Sequence, residues 1–305
     1  MGCQISVITC THNPRRSYLS RVIAALANQT VDLHGWEYLM VDNASDDPIG
    51  SWADISWHPR GRHIREEKLG LTPARLRGIR EASGDLLVFV DDDNVLAPDY
   101  LEQAEGLAAA WPNLGAFSGQ VFAEFEVQPE EWTKKYWARL AVREFERDWW
   151  SNIPCLERTT PNGAGLCVKK SVASEYLRYH ENGNRKFLLD RTGNRLLSAG
   201  DLDLATTACD LGLGNGLFTS LRLTHLIPKE RLREEYLLRL LEDQTFSFVV
   251  LQSFRSNEST SPRRTWKTVL ADRLRSLMMK PRDRRFLQAV KNGQRKAVEF
   301  LSQVH

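Results

Sequence analysis

Two periods of apolar residues alternate along the first half of the chain. Ile5 to Cys10 is a short β-rich run, followed by Leu19, Val22, Ile23 and Leu26 at the i, i+3, i+4, i+7 spacing of one helical face. Trp36 to Val41 reads as a second strand, closed by the turn-rich cluster Asp42-Asn43-Ala44-Ser45-Asp46. Pro73 opens a helix through about Ala82 and Gly84 ends it. The run Asp-Leu-Leu-Val-Phe-Val over 85–90 then has no polar face, as expected of a strand covered on both sides. After Pro98 a further helix spans Asp99 to Trp111. This βαβα order predicts an α/β fold with an open, mostly parallel, Rossmann-like sheet and flanking helices. Ligands of such sheets bind beyond the carboxyl ends of the strands, where the polar clusters of this chain fall.

Residues 112–160 lose the alternation and gather Trp132, Trp137, Trp149 and Trp150. Order returns over 197–245, with a flexible turn at Gly212, Gly214 and Gly216 and a helix from about Lys229 to Glu242. The polar stretch Ser256 to Pro262 reads as a linker, so the expected organisation is a domain over 1–252 and an appendix over 253–305.

Charge sharpens that division. From Ser261 to His305 there are twelve Lys/Arg against three Asp/Glu, so the first 260 residues carry −7 of an overall +2. A mildly acidic body does not suit nucleic acid, which asks for a basic stripe on the folded domain. Five scattered cysteines (Cys3, Cys10, Cys155, Cys167, Cys209) form no C-x-x-C pair, which argues against a disulfide framework or zinc cluster and for a reducing compartment. No run reaches the ~20 apolar residues of a membrane-spanning helix, and no signal-like start is visible, so the expected location is the cytoplasm.

The chemistry concentrates at strand ends. Asp91-Asp92-Asp93 follows the apolar strand directly. Adjacent carboxylates repel unless a cation compensates, and Mn²⁺ or Mg²⁺ is held by one or two carboxylates together with substrate phosphates. A strand-like D-x-D would place Asp91 and Asp93 on one side. Thr9, Thr11 and Asn13 end the first strand and could meet a base or phosphate near a helix N-terminus. Asp42 ends the second strand, where a carboxylate can accept from a base N–H. Each of these clusters, taken alone, is equally consistent with a capped turn.

Their order is what narrows the reading. Ser6-Val-Ile-Thr-Cys-Thr-His-Asn13, then Val41-Asp-Asn-Ala-Ser-Asp-Asp47, then Gly70 to Asp93 (GLTPARLRGIREASGDLLVFVDDD) closely resemble the second sequence family of glycosyltransferases, which have the GT-A fold. The resemblance runs over roughly residues 4–245. It implies a nucleotide-binding half over about 1–119 and an acceptor-binding half over about 120–252. It implies an inverting transfer of a single sugar from a nucleoside diphosphate sugar, UDP-sugar favoured, to a carbohydrate or lipid-linked hydroxyl. Thr11 and Asp42 would hold the nucleobase, with Arg75 and Asp92 near the nucleotide and Asp91 on ribose. Asp93 would bind Mn²⁺ or Mg²⁺, with His225 completing the metal shell or touching the diphosphate. Asn162, Gly163, Ala164 and Gly165 resemble the small-residue loop over the donor sugar. Leu76 departs from the family's usual Asn.

Inverting transfer needs a carboxylate to deprotonate the acceptor. Gly200-Asp-Leu-Asp-Leu204 resembles the family's E-D-x-[DE]-L segment with Gly200 in place of its first acid. Asp201 is assigned as base and Asp203 as an acceptor-binding group, although a helix N-terminal turn would also favour acids here. A nucleotidyltransferase, or a non-catalytic nucleotide-sugar-binding relative, is the rival reading. The former lacks its glycine-rich phosphate loop, and the latter would have lost an acid. The processive Q-x-x-R-W signature is absent, which favours transfer of single sugars.

The tail adds one expectation. Trp266, Leu270, Leu274 and Leu277 fall at helical spacing between basic residues, and Phe286, Leu287 and Val290 continue the apolar series. Such a segment over 263–296 suits the anionic inner face of the plasma membrane. A helical hairpin packed on the body or on a second copy of a homodimer is the alternative.

Overall fold

The computed structural model describes residues 4–185, 187, 189–191, 195–255 and 279–304. β1 (Ile5–Thr11) is buried along its whole length, and α1 (Arg16–Ala27) lays Leu19, Val22 and Leu26 against it, with Ile23 only partly covered. β2 (Trp36–Asn43) pairs parallel with β1, and β3 (Gly61–Glu66) pairs parallel with β2 at the edge. α2 (Leu71–Glu81) starts two residues before Pro73, which falls in the first turn where its missing N–H is harmless. β4 (Leu86–Phe89) joins β1 on the other side, again parallel, and carries the chain to the acidic triplet.

The sheet then becomes mixed. β5 (Asn94–Leu96) leaves for the far edge, and α3 (Tyr100–Ala110) leads into β6 (Leu114–Phe125). β7 (Trp149–Ser151) is a short strand beside the far end, and β8 (Leu166–Lys169) enters antiparallel between β4 and β6. α4 (Lys170–Glu181) and α5 (Gly200–Asp210) cover this part. β9 (Gly214–Ile227) runs parallel to β6 and antiparallel to β5. The spatial order is β3-β2-β1-β4-β8-β6-β9-β5, with β7 beside β9. The expected parallel sheet is therefore its first half, and the second half mixes directions. Core clusters fill both faces, one against α1 and α3 and the other against α2, α4 and α5.

Two readings of the second half change. The glycines expected in a turn divide: Gly212 turns with φ 74°, while Gly214 and Gly216 are inside β9, where pairing to β6 and β7 overrides their weak strand preference. The helix expected from Lys229 is a 3-10 turn over Lys229–Leu232, and α6 (Glu234–Ser253) follows it and is longer than expected.

The C-terminal helix (Pro281–Val304) lies on α6. Phe286 stacks on Tyr136 with ring centroids 4.0 Å apart, Val290 packs in the same cluster, and Arg282 and Lys296 pair with Glu234 and Glu242. Of the apolar series expected to face a membrane, Phe286 and Val290 are on protein, because α6 offers an apolar face flanked by carboxylates. Trp266, Leu270, Leu274 and Leu277 lie outside the described residues. No helix among the described residues is long and apolar enough to cross a membrane.

Candidate active site

The acidic triplet forms one wall of a cleft of about 850 Å³ at the carboxyl ends of β1 and β4. Asp91, Asp92 and Asp93 occupy a turn rather than strand, and all three line the cleft, so side-to-side alternation does not select between them. Thr11 donates its hydroxyl proton to Asp92. Asp93 is the most heavily held: Oδ2 lies 2.9 Å from Arg231 Nη2 and 3.3 Å from His225 Nε2, and Oδ1 accepts from Asn94 Nδ2 at 3.0 Å. His225 reaches Asp93 because β9 and β5 pair His225 opposite Asn94.

The three acids titrate apart. Burial pushes Asp91 up to about 6, with Asp93 and Asp201 adding to it and Arg75 opposing. Burial and Asp93 push Asp92 up to about 7. Burial acts the same way on Asp93, but His225 and Arg231 outweigh it and hold that carboxyl well below the usual range. Burial thus outweighs the nearby cations at Asp91 and Asp92, and the cations outweigh burial only at Asp93.

Asp201 faces this wall from the first turn of α5. Its carboxylate accepts from the backbone N–H of Gly163 at 2.6 Å and of Leu202 at 2.8 Å. Burial raises its pKa, helped by Asp190 and opposed by Arg75 and these two hydrogen bonds. A raised carboxyl that keeps an oxygen on the cleft suits proton abstraction. Gly163 is required by this approach: a Cβ there would sit 2.9 Å from Arg75 Nη2 and 3.1 Å from Asp201 Oδ2. Asn162 and Ala164 also line the cleft.

Arg75, buried on α2, is clamped by Asp190, with Nη1 to Oδ2 at 3.0 Å. Asp190 also accepts from Thr72 Oγ1 at 2.9 Å and from Gly200 N at 3.2 Å. A Cβ at Gly200 would lie 2.1 Å from Asp190 Oδ2. The acid missing at position 200 is therefore replaced in space by Asp190, ten residues upstream, and only glycine leaves room for it.

Four expected site residues are elsewhere. Thr9 is fully buried and accepts from the Tyr38 hydroxyl at 3.3 Å, because its side chain points into the sheet's covering layer. Asp42 does not line the cleft: its oxygens accept from Ser45 N, Ile49 N and Arg65 and hold the turn after β2. Asp203 is buried on the far side of α5 between Arg185 and Arg255, both at 2.7 Å. That does not fit acceptor binding. Gly165 lies behind the loop, φ 65°, with its carbonyl accepting from the Tyr100 hydroxyl. Thr11, Asn13, Arg75 and His225 do line the cleft.

Sequence reasoning missed the cleft's basic residues, among them Arg139, Arg143, Arg191 and Arg231, and also Asp190. They come one at a time from connecting segments, so no motif marks them. Arg231, six residues past His225, was the most accessible to inference.

Whether these residues suit a divalent cation can be tested on the donor set. Among the described residues no group of three His, Cys, Asp or Glu is arranged to enclose a metal. Asp93 and His225 come together, however, Nδ1 of His225 is buried without a partner among the described residues, and burial keeps Asp91 and Asp92 raised despite Arg75 and Arg231. Two protein ligands with the rest from substrate phosphates is the usual manner of Mg²⁺ or Mn²⁺, so the residues fit an ion arriving with a diphosphate. Arg231 holds the same Asp93 oxygen and would have to share it.

Comparison with known proteins agrees with this geometry. The family model described as Glycosyl transferase family 2 matches residues 6–161. A glucosyl-dolichyl phosphate glucuronosyltransferase of Haloferax volcanii is 26% identical over 198 residues, which is 60% of this chain and 58% of that protein. A validoxylamine A glucosyltransferase of Streptomyces hygroscopicus subsp. jinggangensis is 33% identical over 104 residues, 32% of this chain and 24% of that one. The chain thus spans less than two thirds of these relatives. The crystal structure of S. aureus TarS 1-349 in complex with UDP-GlcNAc superposes with a TM-score of 0.55 at 13% identity, covering 95% of this chain and 80% of that one.

Proposed function

Because the chain belongs to glycosyl transferase family 2, we propose that it is an inverting enzyme that moves a single sugar from a nucleoside diphosphate sugar to an acceptor hydroxyl. The observation that carries this is that Asp201 and the Asp91–Asp93 wall line one cleft, with Gly163 of the Asn162–Ala164 loop hydrogen-bonded to Asp201. Thr11 and Asn13 stand at the nucleotide end, and a UDP-sugar is the donor favoured by the TarS complex of the same fold.

Asp93 and His225 would hold Mn²⁺ or Mg²⁺, with Asp91 beside them. Such an ion supplies charge neutralisation for the departing diphosphate. The chain's own cations act in the same place: Arg231 and Arg191 both lower the pKa of Asp93, so their charge reaches the leaving-group end of the cleft. Asp201 takes the acceptor proton through an oxygen at the cleft surface, held in line by Gly163 N and Leu202 N. Asp190 fixes Arg75, whose charge opposes the rise of the Asp201 pKa.

The acceptor side supports an acceptor with an apolar part. Leu240, Phe248 and Val290 line that arm of the cleft, and Phe248 is 37% exposed. A lipid-linked acceptor would bring the protein to a membrane surface, and Arg284 and Arg285 of the C-terminal helix are exposed toward solvent. The test of the central reading is calorimetric titration of UDP with and without Mn²⁺, followed by turnover across UDP-sugars. Metal-dependent UDP binding is expected. Failure to bind any nucleoside diphosphate in either condition overturns the reading.

A further inference from the structure

The arginines of the cleft are not alike. Arg15 pairs with Glu126 and Glu230, Arg75 with Asp190, and Arg231 with Asp93. Arg143 lines the same cleft, is half-buried, and has no carboxylate within ion-pair distance among the described residues. Of its five N–H donors, one is placed on a protein acceptor among the described residues, Thr160 O at 3.0 Å. The fork is positioned by an isolated bridge in which Arg143 and Val121 exchange both backbone hydrogen bonds, so the residue is fixed to the edge of β6. Burial lowers its pKa, and the charges of Glu157 and Asp201 only partly oppose this.

A half-buried guanidinium with free donors is under-satisfied unless something else supplies the negative charge. Arg143 and Asp201 line one cleft, and one short segment touches both: Thr160 O holds Arg143 and, three residues on, Gly163 N holds the base, so Arg143 lies on the side of the reacting hydroxyl. Arg139 is exposed on the same wall four residues upstream and also has no carboxylate partner among the described residues. Between the two the chain reverses at Ala141, whose φ of 64° turns both toward the cleft. A neutral sugar would leave this charge unanswered, whereas a planar or tetrahedral oxyanion matches the fork.

We infer that the cleft takes a substrate carrying a carboxylate or phosphate beside the reacting hydroxyl, and that Arg143 binds that anion. This rests on the glycosyl-transfer reading and adds the substrate's charge. The oxyanion has two sources: a carboxylate on the transferred sugar, or a phosphate on the acceptor.

The experiment is calorimetry on the full chain with Mn²⁺ present, in two arms. The donor arm compares UDP-glucuronate with UDP-glucose, and the acceptor arm compares glucose 6-phosphate with glucose on UDP-saturated protein. In one arm the charged member should bind at least ~10-fold more tightly, as a charge-assisted pair requires. Arg143→Gln should remove that preference while still binding UDP, and Arg143→Lys should keep part of it. A donor-arm preference identifies a uronate donor; an acceptor-arm preference identifies a phosphorylated acceptor. Equal binding of charged and neutral members in both arms overturns the inference alone, as does a preference that survives Arg143→Gln. Absence of UDP binding by the unaltered protein overturns the glycosyl-transfer reading and the inference with it.

Discussion

Replacing Asp203 by Asn tests whether that acid serves the substrate or the fold. Asp203 is 2% exposed, and Arg185 grips it with Nε at 2.7 Å and Nη2 at 3.0 Å while Arg255 Nη1 approaches to 2.7 Å. Arg255 retains Asp210 if Asp203 loses its charge, but among the described residues Arg185 keeps only the ring faces of Tyr179 and Phe254. Breaking a buried pair by neutralising one partner costs roughly 3–5 kcal/mol. The amide preserves shape and one acceptor, and Arg255 keeps a partner, so about 3 kcal/mol is expected here. Unfolding entropy for a chain of 305 residues is about 0.6 kcal/mol per kelvin, which makes this a fall in Tm of about 5 K. Differential scanning calorimetry measures it, and the double variant Asp203→Asn with Arg185→Met should lose less than the sum of the two single changes. Acceptor KM, measured well below the Tm, should be unchanged. A Tm within about 1 K of the parent together with a raised acceptor KM would return Asp203 to the acceptor site and refute the structural role.

Three further outcomes are expected. Asp201→Asn should lower kcat by roughly 10²–10⁴ and leave UDP affinity intact, measured by turnover and calorimetry; near-normal kcat would remove it as base. Asp93→Asn should weaken Mn²⁺-dependent UDP binding at least ~10-fold while metal-free binding changes little, since a carboxylate is lost from the ion's shell. His58 packs edge-on to Trp36 at 4.1 Å, and burial depresses its pKa to about 4. A depressed histidine contributes stability above its unfolded pKa, about 6.5, that is lost as pH falls toward 4. Chemical denaturation between those pH values should therefore show a loss of about 1–3 kcal/mol that His58→Phe reduces, and parallel pH profiles would show that another group is responsible.

By itself the sequence determined β1, α1, β2, α2, β4 and α3, because there the determinants are local. Apolar runs of strand length mark β1, β2 and β4 and a 3.6-residue period marks α1 from local residues alone, and strand ends release their polar residues at one edge of a parallel sheet. The triplet Asp91–Asp93 and the acid Asp201 were legible for the same reason, each standing at the end of a regular element in a recognisable order. Only the tertiary structure decided which of two acids on one helical turn meets the cleft. Asp201 and Asp203 differ by about 200° around α5, and the direction of the cleft is set by β8 and the Gly163 loop, not by anything local to the helix. Position 200 was likewise undecidable locally, since the carboxylate that excludes a side chain there belongs to Asp190. The same holds for Arg143 and Arg231, whose chemistry depends on partners that distant segments supply or withhold. Strand order in the second half followed suit: β5 pairs with β9, more than a hundred residues away, and long-range pairing leaves no periodic signature in either segment.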